Sequence, residues 1–299
     1  MSMRKFRIFA DSTCDLTQER ADALGIEVLP IGVGVGGTQY MHYADCRELP
    51  MDKFYIALRD GLSATTSATS PGAWEDAFRK ALSAGSDVLA VTLSSGLSCT
   101  YSNACMAAAA LKDEFPARSI YIVDSRSGSL GIGSVLELAA SLGDKGLTIG
   151  ETSAHLEAAV GRLNSLFTVD DLKHLLRGGR ISAATATVGS ILNIKPIIAV
   201  QKDGSLGQLA KIRGRKGSLK YLADAASSSS RVYVTHADAP EDAEALKAMI
   251  EEKNPACEVI LGSIGPALGA HCGPGAIAAF FYSGDTFAGP IKITPVSAK

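Results

Sequence analysis

Residues 87–112 read DVLAVTLSSGLSCTYSNACMAAAALK and contain the pattern from which the fold is predicted. The apolar run Asp87–Leu93 is typical of a buried strand. The residues from about Ser98 to Lys112 indicate a helix, which we expect to be the longest in the chain. Strand, hydroxyl-rich turn and helix in this order form the repeating unit of a parallel sheet covered by helices.

The same alternation extends over the first half of the chain. The other strands that we predict there are Phe6–Ala10, Ile26–Val35 and Ser119–Val123. The helices are a segment capped by Asp11–Asp15 that runs to Ala23 and is closed by Gly25, then Met51–Arg59, Gly72–Leu82 and Gly133–Leu142. We therefore predict an α/β fold whose N-terminal domain, residues 1–160, has a mostly parallel sheet with helices on both faces.

The pattern changes after about residue 150. Two helices are predicted at Thr152–Leu163 and Val169–Leu176, and a further helix at Glu241–Glu252. Asp203-Gly204 predicts a hairpin between Pro196–Gln201 and Leu206–Ile212. Further strands are predicted at Arg231–Thr235 and Cys257–Ser263, and Ile277–Tyr282 fits either a buried strand or a buried helix. We expect a C-terminal α+β domain with a mixed sheet over residues 161–299.

Composition restricts the classes of function. The chain has 299 residues, of which 46% are apolar and 20% charged, with a formal net charge of -2. This balance argues against nucleic-acid binding, which needs a cationic surface. Apolar runs such as Ala276–Tyr282 are too short for stable membrane insertion, and the first residues lack a signal-peptide core. The six cysteines have no metal-ligand spacing, so we expect no metal site and a cytoplasmic location.

A glycine-rich segment offers one alternative function. Residues Gly32–Gly37 match the dinucleotide fingerprint G-x-G-x-x-G. That site needs a helix to begin on the glycine loop, so that the helix N-terminus faces the pyrophosphate. Thr38–Tyr43 begins no convincing helix, so a mobile glycine loop is the favoured interpretation.

Two other segments combine hydroxyl side chains with a predicted helix start. They are Thr65–Gly72 and Ser94–Tyr101. Free N–H groups and the positive end of a helix favour an anion at such places, although ordinary N-capping is the alternative. Two such loops at one sheet edge would converge on one crevice. Near the end of the chain, His271 lies among glycines that leave an imidazole accessible to a ligand.

A set of motifs resembles the DegV family. In chain order they are Asp11-Ser12-x-x-Asp15-Leu16, Thr66-Ser67-x-x-Ser70-Pro71-Gly72, Ser94-Ser95-x-Leu97-Ser98-x-Thr100-Tyr101, Asp124-Ser125, Leu176-x-Gly178-Gly179-Arg180-Ile181-Ser182, Lys195-Pro196-Ile197, Ile264-Gly265-Pro266 and His271-x-Gly273-Pro274-Gly275. The resemblance implies a two-domain protein that binds a long-chain fatty acid between its domains, without a further cofactor. It also implies that some members present the bound carboxylate to a separate kinase, which makes acyl-phosphate.

The resemblance implies a head-group site as well. The carboxylate is expected to meet Thr66 and Ser98, with His271 nearby. Hydroxyl donors and helix N-termini can hold a carboxylate without a salt bridge. The alternative is a serine acyl hydrolase that uses Ser98 as nucleophile and His271 as base.

A basic cluster lies outside these motifs. Lys211-x-Arg213-x-Arg215-Lys216-x-x-x-Lys220 places five cations within ten residues of a chain with negative net charge. Such a run is often only a solvated surface. Because kinase-coupled members of the family carry a basic region that faces the kinase, the resemblance implies that Arg213 and Arg215 contact the partner kinase.

Overall fold

A computed structural model describes residues 4–182 and 193–284 of the chain. The expected C-terminal domain, residues 161–299, therefore includes stretches that lie outside the described residues. The strands are β1 Phe6–Asp11, β2 Ile26–Leu29, β3 Ile31–Val35, β4 Thr38–His42, β5 Ala64–Ser67, β6 Asp87–Thr92, β7 Ile120–Asp124, β8 Leu163–Thr168, β9 Ile194–Val200, β10 Leu206–Arg213, β11 Arg231–His236, β12 Glu258–Ser263 and β13 Ile277–Tyr282. The helices are α1 Gln18–Leu24, α2 Met51–Arg59, α3 Pro71–Ser83, α4 Thr100–Leu111, α5 Leu130–Asp144, α6 Ile149–Val160, α7 Lys173–Arg177, α8 Arg215–Ala226, α9 Pro240–Lys253 and α10 Pro266–Cys272.

The N-terminal sheet is parallel and has the strand order β2-β1-β6-β7. Successive side chains of β1 point to opposite faces, as the strand geometry requires. Ile8 belongs to a buried cluster that includes α5 and α6, whereas Phe9 belongs to a cluster that includes Trp74 and Phe78 of α3. Helices therefore cover both faces of this parallel sheet, which confirms the prediction.

The C-terminal sheet is mixed, with the strand order β10-β9-β8-β13-β11-β12. The predicted hairpin is confirmed: β9 and β10 pair antiparallel around a turn in which Gly204 has φ +83°. The residues 277–282, which fitted either a strand or a helix, form β13 between β8 and β11. The chain thus has the predicted two-domain α/β fold. The division at residue 160 falls between α6 and β8, and it remains our proposal for the domain boundary.

Helix α5 lies between the two domains. It packs against β1 and β6 of the parallel sheet and against β11 and β13 of the mixed sheet. Nearly all of its residues are buried, as expected for a helix with apolar neighbours on every side. With 15 residues it is longer than α4, so the prediction that the helix at Ser98–Lys112 is the longest was wrong.

A third sheet was not predicted. Residues 26–35 do not form one strand, because Pro30 separates β2 from β3 and cannot donate a ladder hydrogen bond. Strand β3 belongs to an antiparallel sheet with the order β4-β3-β5. The expectation of a mobile glycine loop at Gly32–Gly37 is wrong, since these residues lie in β3 and in a tight turn to β4. The dinucleotide alternative fails as well, because a strand and not a helix follows the glycines.

Other boundaries also differ from the prediction. Asp11 caps only a short 3-10 turn, and the side chain of Thr17 caps α1, which the predicted Gly25 closes. The predicted helix at Val169–Leu176 shortens to α7. Strand β8 was missed, because its alternating sequence follows directly on the helical pattern of α6. None of the described helices is long and apolar enough to cross a lipid bilayer.

The third sheet connects the two halves of the molecule. Its residues share one buried cluster with α2 and with α10, which belongs to the C-terminal half. The buried hydroxyl of Tyr55 on α2 donates to the carbonyl oxygen of Ile264 at 2.6 Å, just before α10. Gly269 allows this approach, because a Cβ at that position would lie 2.6 Å from the Tyr55 hydroxyl. Helix α10 is thereby held next to the third sheet.

Candidate functional site

A cavity of about 330 Å³ lies where the three sheets meet. Ligand sites in proteins are typically concave, largely apolar and a few hundred Å³ in volume. Apolar side chains make most of this wall: Ile31, Leu93, Leu97, Phe167, Leu175, Val200, Leu206, Ile264, Ala267, Leu268, Ala278 and Phe280. Polar groups join the wall from several elements, among them Thr66, Ser98 and His271. The structure therefore brings together the three side chains that were expected to bind the ligand.

Thr66 and His271 are in direct contact. The Thr66 Oγ1 and His271 Nε2 atoms are 2.8 Å apart. Thr66 lies on β5, and His271 lies in the last turn of α10, which is followed by Gly273 with φ +73°. Gly178 allows the end of α7 to approach the imidazole, since a Cβ there would lie 2.3 Å from Nδ1. The structure therefore places His271 beside Thr66.

Ser98 is held by a loop that rests on the C-terminal domain. The Ser94 hydroxyl donates to the carbonyl oxygen of Gly204 in the β9–β10 turn at 2.7 Å. A Cβ on Gly96 would lie 2.4 Å from the Gly204 carbonyl carbon, so only glycine allows this contact. Ser98 itself precedes α4, where its Oγ accepts from the Thr100 N–H at 3.2 Å. The Ser98 hydroxyl therefore lies at the N-terminal, electropositive end of a 12-residue helix.

The two hydroxyl segments meet for a reason other than the one predicted. Ser98 does follow β6 of the parallel sheet, as expected. Thr66, however, lies on β5 of the third sheet and not on a loop at the same sheet edge. Their convergence depends on the packing of that third sheet against α10, which no local pattern in the sequence indicates.

Arg180 is a site residue that sequence reasoning missed. It lines the cavity, and its Nε atom donates to the carbonyl oxygen of Leu97 at 3.1 Å, next to Ser98. Its Nη1 atom donates to the carbonyl oxygen of Gly178. Among the described residues that line the cavity, Arg180 carries the only formal cation, and none carries a carboxylate. Its place in a Gly178-Gly179-Arg180 motif was visible in the sequence, although its proximity to Ser98 was not.

The imidazole of His271 is neutral near pH 7. Burial lowers its pKa to about 4, and the positive charge of Arg180 acts in the same direction. A neutral ring can either donate to or accept from a neighbour. The site thus offers hydroxyl donors, a guanidinium and a neutral imidazole, which together suit an anionic group of low charge.

The hydrogen bonds do not match those of a Ser–His hydrolase. Ser98 Oγ bonds to Thr100 Oγ1 at 2.9 Å, and His271 Nε2 bonds to Thr66. His271 Nδ1 is buried and has no hydrogen-bond partner among the residues that the structure describes. A catalytic base needs a group that orients it through this nitrogen. The geometry therefore favours binding over the hydrolase alternative.

The sequence analysis expected that the six cysteines do not bind a metal ion. All six cysteines are free thiols, and two of them, Cys99 and Cys272, line the cavity. Burial raises the pKa of Cys272 to about 12, so this thiol is protonated. Residues 4–182 and 193–284 contain no group of three or more His, Cys, Asp or Glu side chains that could hold a metal ion.

The two arginines of the basic cluster have different surroundings. Arg213 is exposed near the end of β10, which is an edge strand. Arg215 is mostly buried: its Nε atom donates to Asp242 at 2.8 Å and its Nη2 atom donates to the Gly275 carbonyl oxygen at 2.6 Å. Arg213 is therefore accessible at the surface, whereas Arg215 is engaged within the protein.

Comparisons with known proteins agree with this architecture. The family model described as "Uncharacterised protein, DegV family" matches residues 5–284. A DegV domain-containing protein of Clostridium perfringens is 37% identical over 290 residues, which are 95% of this chain and 99% of the relative. A two-domain α/β protein with a cavity between its sheets is the class that the fold defines. The chain belongs to the DegV family.

Solved structures show the same fold. A fatty-acid-binding DegV family protein from Thermus thermophilus superposes with a TM-score of 0.83 at 29% identity, covering 93% of this chain and 99% of that one. The fatty acid kinase B3 protein of Streptococcus pneumoniae, loaded with linoleic acid, gives a TM-score of 0.82 at 21% identity, with 93% and 99% of the two chains covered. At that lower identity the likeness concerns the fold alone.

Proposed function

We propose that this protein binds a long-chain fatty acid in the cavity between its sheets. The observation that carries the proposal is the composition of the cavity wall, which is mostly apolar and also includes the polar side chains of Thr66, Ser98, His271 and Arg180. Fatty-acid binding by the Thermus thermophilus relative supports it.

A fatty acid has a polar head group and an apolar chain, and the cavity wall has side chains that suit each of them. A carboxylate accepts hydrogen bonds from the hydroxyls of Thr66 and Ser98, and the Arg180 guanidinium supplies the compensating charge. An acyl chain needs only apolar surroundings, because each buried methylene contributes roughly 0.8 kcal/mol. Phe167, Phe280 and the aliphatic residues of the wall provide that surface.

The direct test is to extract the purified protein under denaturing conditions and to identify the released lipid by mass spectrometry. We expect a straight-chain monocarboxylic acid in stoichiometric amount. A serine-reactive fluorophosphonate, applied to the same preparation, should not label Ser98. Labelling of Ser98 together with hydrolysis of an acyl ester would favour the hydrolase alternative, and a nucleotide in the extract would contradict the proposal.

We further propose that the bound carboxylate is presented to a separate cytoplasmic kinase, which phosphorylates it to acyl-phosphate. The protein is then a non-catalytic subunit. The fold that it shares with the Streptococcus pneumoniae fatty acid kinase B3 protein supports this role. The exposed cations of β10 support it too, because a positive surface steers and orients an acidic or phosphate-loaded partner.

Charge reversal at Arg213 is expected to separate kinase coupling from lipid binding. Arg213 is exposed and lies seven residues along β10 from the cavity residue Leu206, or about 23 Å at the usual strand rise. The Arg213→Glu variant should form acyl-phosphate at least tenfold more slowly in an assay with the kinase, while its fatty-acid content equals that of the wild type.

Two further variants complete this experiment. Lys80→Glu reverses an exposed charge on α3, on the far face of the parallel sheet, and should leave the rate unchanged. Arg215→Glu should lower the melting temperature, because it breaks the contacts with Asp242 and Gly275. An unchanged rate of acyl-phosphate formation in Arg213→Glu would show that Arg213 is only a solvated surface residue.

A further inference from the structure

A second cavity, of about 310 Å³, lies behind the wall of the first. The two cavities have no lining residue in common, but neighbouring residues line different ones. Ser129 lines the first cavity and Leu130 the second, and Ile264 and Gly265 divide in the same way. The segments around residues 129 and 264 therefore separate the fatty-acid site from a space to which the proposed function gives no role.

The second cavity contains a carboxyl group without a counter-ion. Asp15 is partly buried and accepts hydrogen bonds from the Ser129 hydroxyl at 2.5 Å and from the Gly265 N–H at 2.9 Å. Both donors are neutral, and no Lys or Arg in the described part of the chain forms an ion pair with Asp15. The one cation that lines the cavity, Arg20, is bonded to Glu137 at 2.9 Å. The charged groups of the lining, Asp15, Glu137 and Arg20, thus leave one negative charge unmatched when Asp15 is ionised.

A buried histidine, His42, lies in the same cavity. His42 is only 3% exposed, and its Nδ1 atom has no hydrogen-bond partner among the described residues. Burial lowers the pKa of His42 to about 4, so the ring is neutral and one of its nitrogens carries a free lone pair.

The two acceptors converge at one place. The Cβ position of Gly265 would lie 2.5 Å from His42 Nε2 and 2.9 Å from Asp15 Oδ1. The imidazole and the carboxyl group therefore approach each other over a bare glycine backbone. Apolar side chains also line this cavity, among them Leu16, Leu130, Met51 and Ile260.

We propose that this second cavity binds a small organic cation with a primary ammonium group. Its N–H groups would donate to the Asp15 carboxylate and to His42 Nε2, and its carbon chain would lie against the aliphatic side chains of the lining. An anion would be repelled by the ionised Asp15 carboxylate. A neutral alcohol would leave the negative charge of Asp15 uncompensated. The inference does not depend on what the first cavity binds.

The other titratable groups around Asp15 do not supply a competing cation. Burial raises the pKa of the thiols and phenols there, so they are neutral at pH 7, and it raises the pKa of the nearby Asp11 carboxyl as well. These groups are Asp11, Cys14, Cys46, Tyr55, Tyr233 and Cys272.

The pH dependence of binding has a definite sign. Burial raises the pKa of Asp15 to about 7, and the ammonium group pairs with the ionised form. About a tenth of the carboxyl groups are ionised at pH 6 and about nine tenths at pH 8. Because an alkylamine stays protonated over this range, its affinity should rise about tenfold from pH 6 to pH 8.

The experiment is a calorimetric titration of the full-length protein with n-pentylamine at pH 6 and pH 8, with pentan-1-ol and pentanoate as uncharged and anionic controls. We expect saturable binding of pentylamine alone, tighter at pH 8. Asp15→Asn should weaken it at least tenfold and remove the pH dependence, whereas Asp76→Asn, an exposed change on α3, should have no effect.

A variant that fills the cavity gives an independent measurement. Ala44 lines the second cavity and is absent from the lining of the first, so Ala44→Leu should abolish pentylamine binding while the lipid content stays unchanged. The proposal is overturned if pentylamine does not bind at either pH, if pentanol binds equally well, or if both Asp15→Asn and Ala44→Leu bind like the wild type.

Discussion

Replacing both Thr66 and Ser98 with alanine is expected to weaken fatty-acid binding about a hundredfold. Each hydroxyl is expected to donate one hydrogen bond to the carboxylate, and bonds to charged groups contribute about 1.5–3 kcal/mol each. Losing two of them costs about 3 kcal/mol or more, which corresponds to that factor in the dissociation constant. The measurement is a titration of delipidated protein with a fluorescent long-chain fatty acid, together with the lipid content of the protein as purified.

The matched control is the double variant Thr65→Ala, Ser102→Ala. Both residues are exposed neighbours that do not line the cavity, and the Ser102 hydroxyl donates to the Cys99 carbonyl oxygen. The control should bind like the wild type. If the Thr66 and Ser98 variant retains the same affinity and lipid load, the carboxylate does not lie at these hydroxyls.

The second large effect concerns stability and comes from Asp15. Burial raises the pKa of this carboxyl from 3.8 to about 7 in the folded protein, so the folded state holds the proton more tightly than the unfolded chain does. The free energy of unfolding then falls as the pH rises from about 4 to 7, and the contribution of this group is constant above that range. Asp15→Asn cannot ionise. Relative to this variant, the wild type should lose about 2.5 kcal/mol between pH 5 and pH 8.

Urea unfolding of both proteins at several pH values gives this difference directly. His42 and His271 have lowered pKa values, so they make the free energy of unfolding rise with pH. Both histidines are present in the wild type and in Asp15→Asn, so their contributions cancel in the difference. The free energy of unfolding of the control variant Asp76→Asn should vary with pH as that of the wild type does. A difference between the wild type and Asp15→Asn that does not vary with pH would show that Asp15 titrates normally.

Local patterns predicted most of the elements correctly. The helix Met51–Arg59 has the predicted bounds, and the β9–β10 hairpin forms around Asp203-Gly204 as its turn residues require. These elements are specified by neighbours in sequence: apolar periodicity in the first case and a glycine with positive φ in the second.

Errors arose where distant contacts decide the structure. Pro30 ends β2, but only tertiary pairing shows that β3 then joins a different sheet. Similarly, Thr66 and Ser98 line the same cavity although the supposed shared sheet edge does not exist. Arg180 was not predicted as a site residue because its hydrogen-bond partner, the Leu97 carbonyl oxygen, lies 83 residues earlier in the chain. Arg215 was grouped with Arg213 because sequence spacing cannot show that Asp242 lies beside it.

The contact between Gly96 and Gly204 joins the loop before α4 to the turn of the β9–β10 hairpin. The loop that carries Ser98 lies on the turn of the β9–β10 hairpin, with no room for even one methyl group between the two backbones. The other end of that hairpin is the edge strand with Arg213. Strands β9 and β10 therefore connect the exposed Arg213 to the backbone contact beside the loop that carries Ser98.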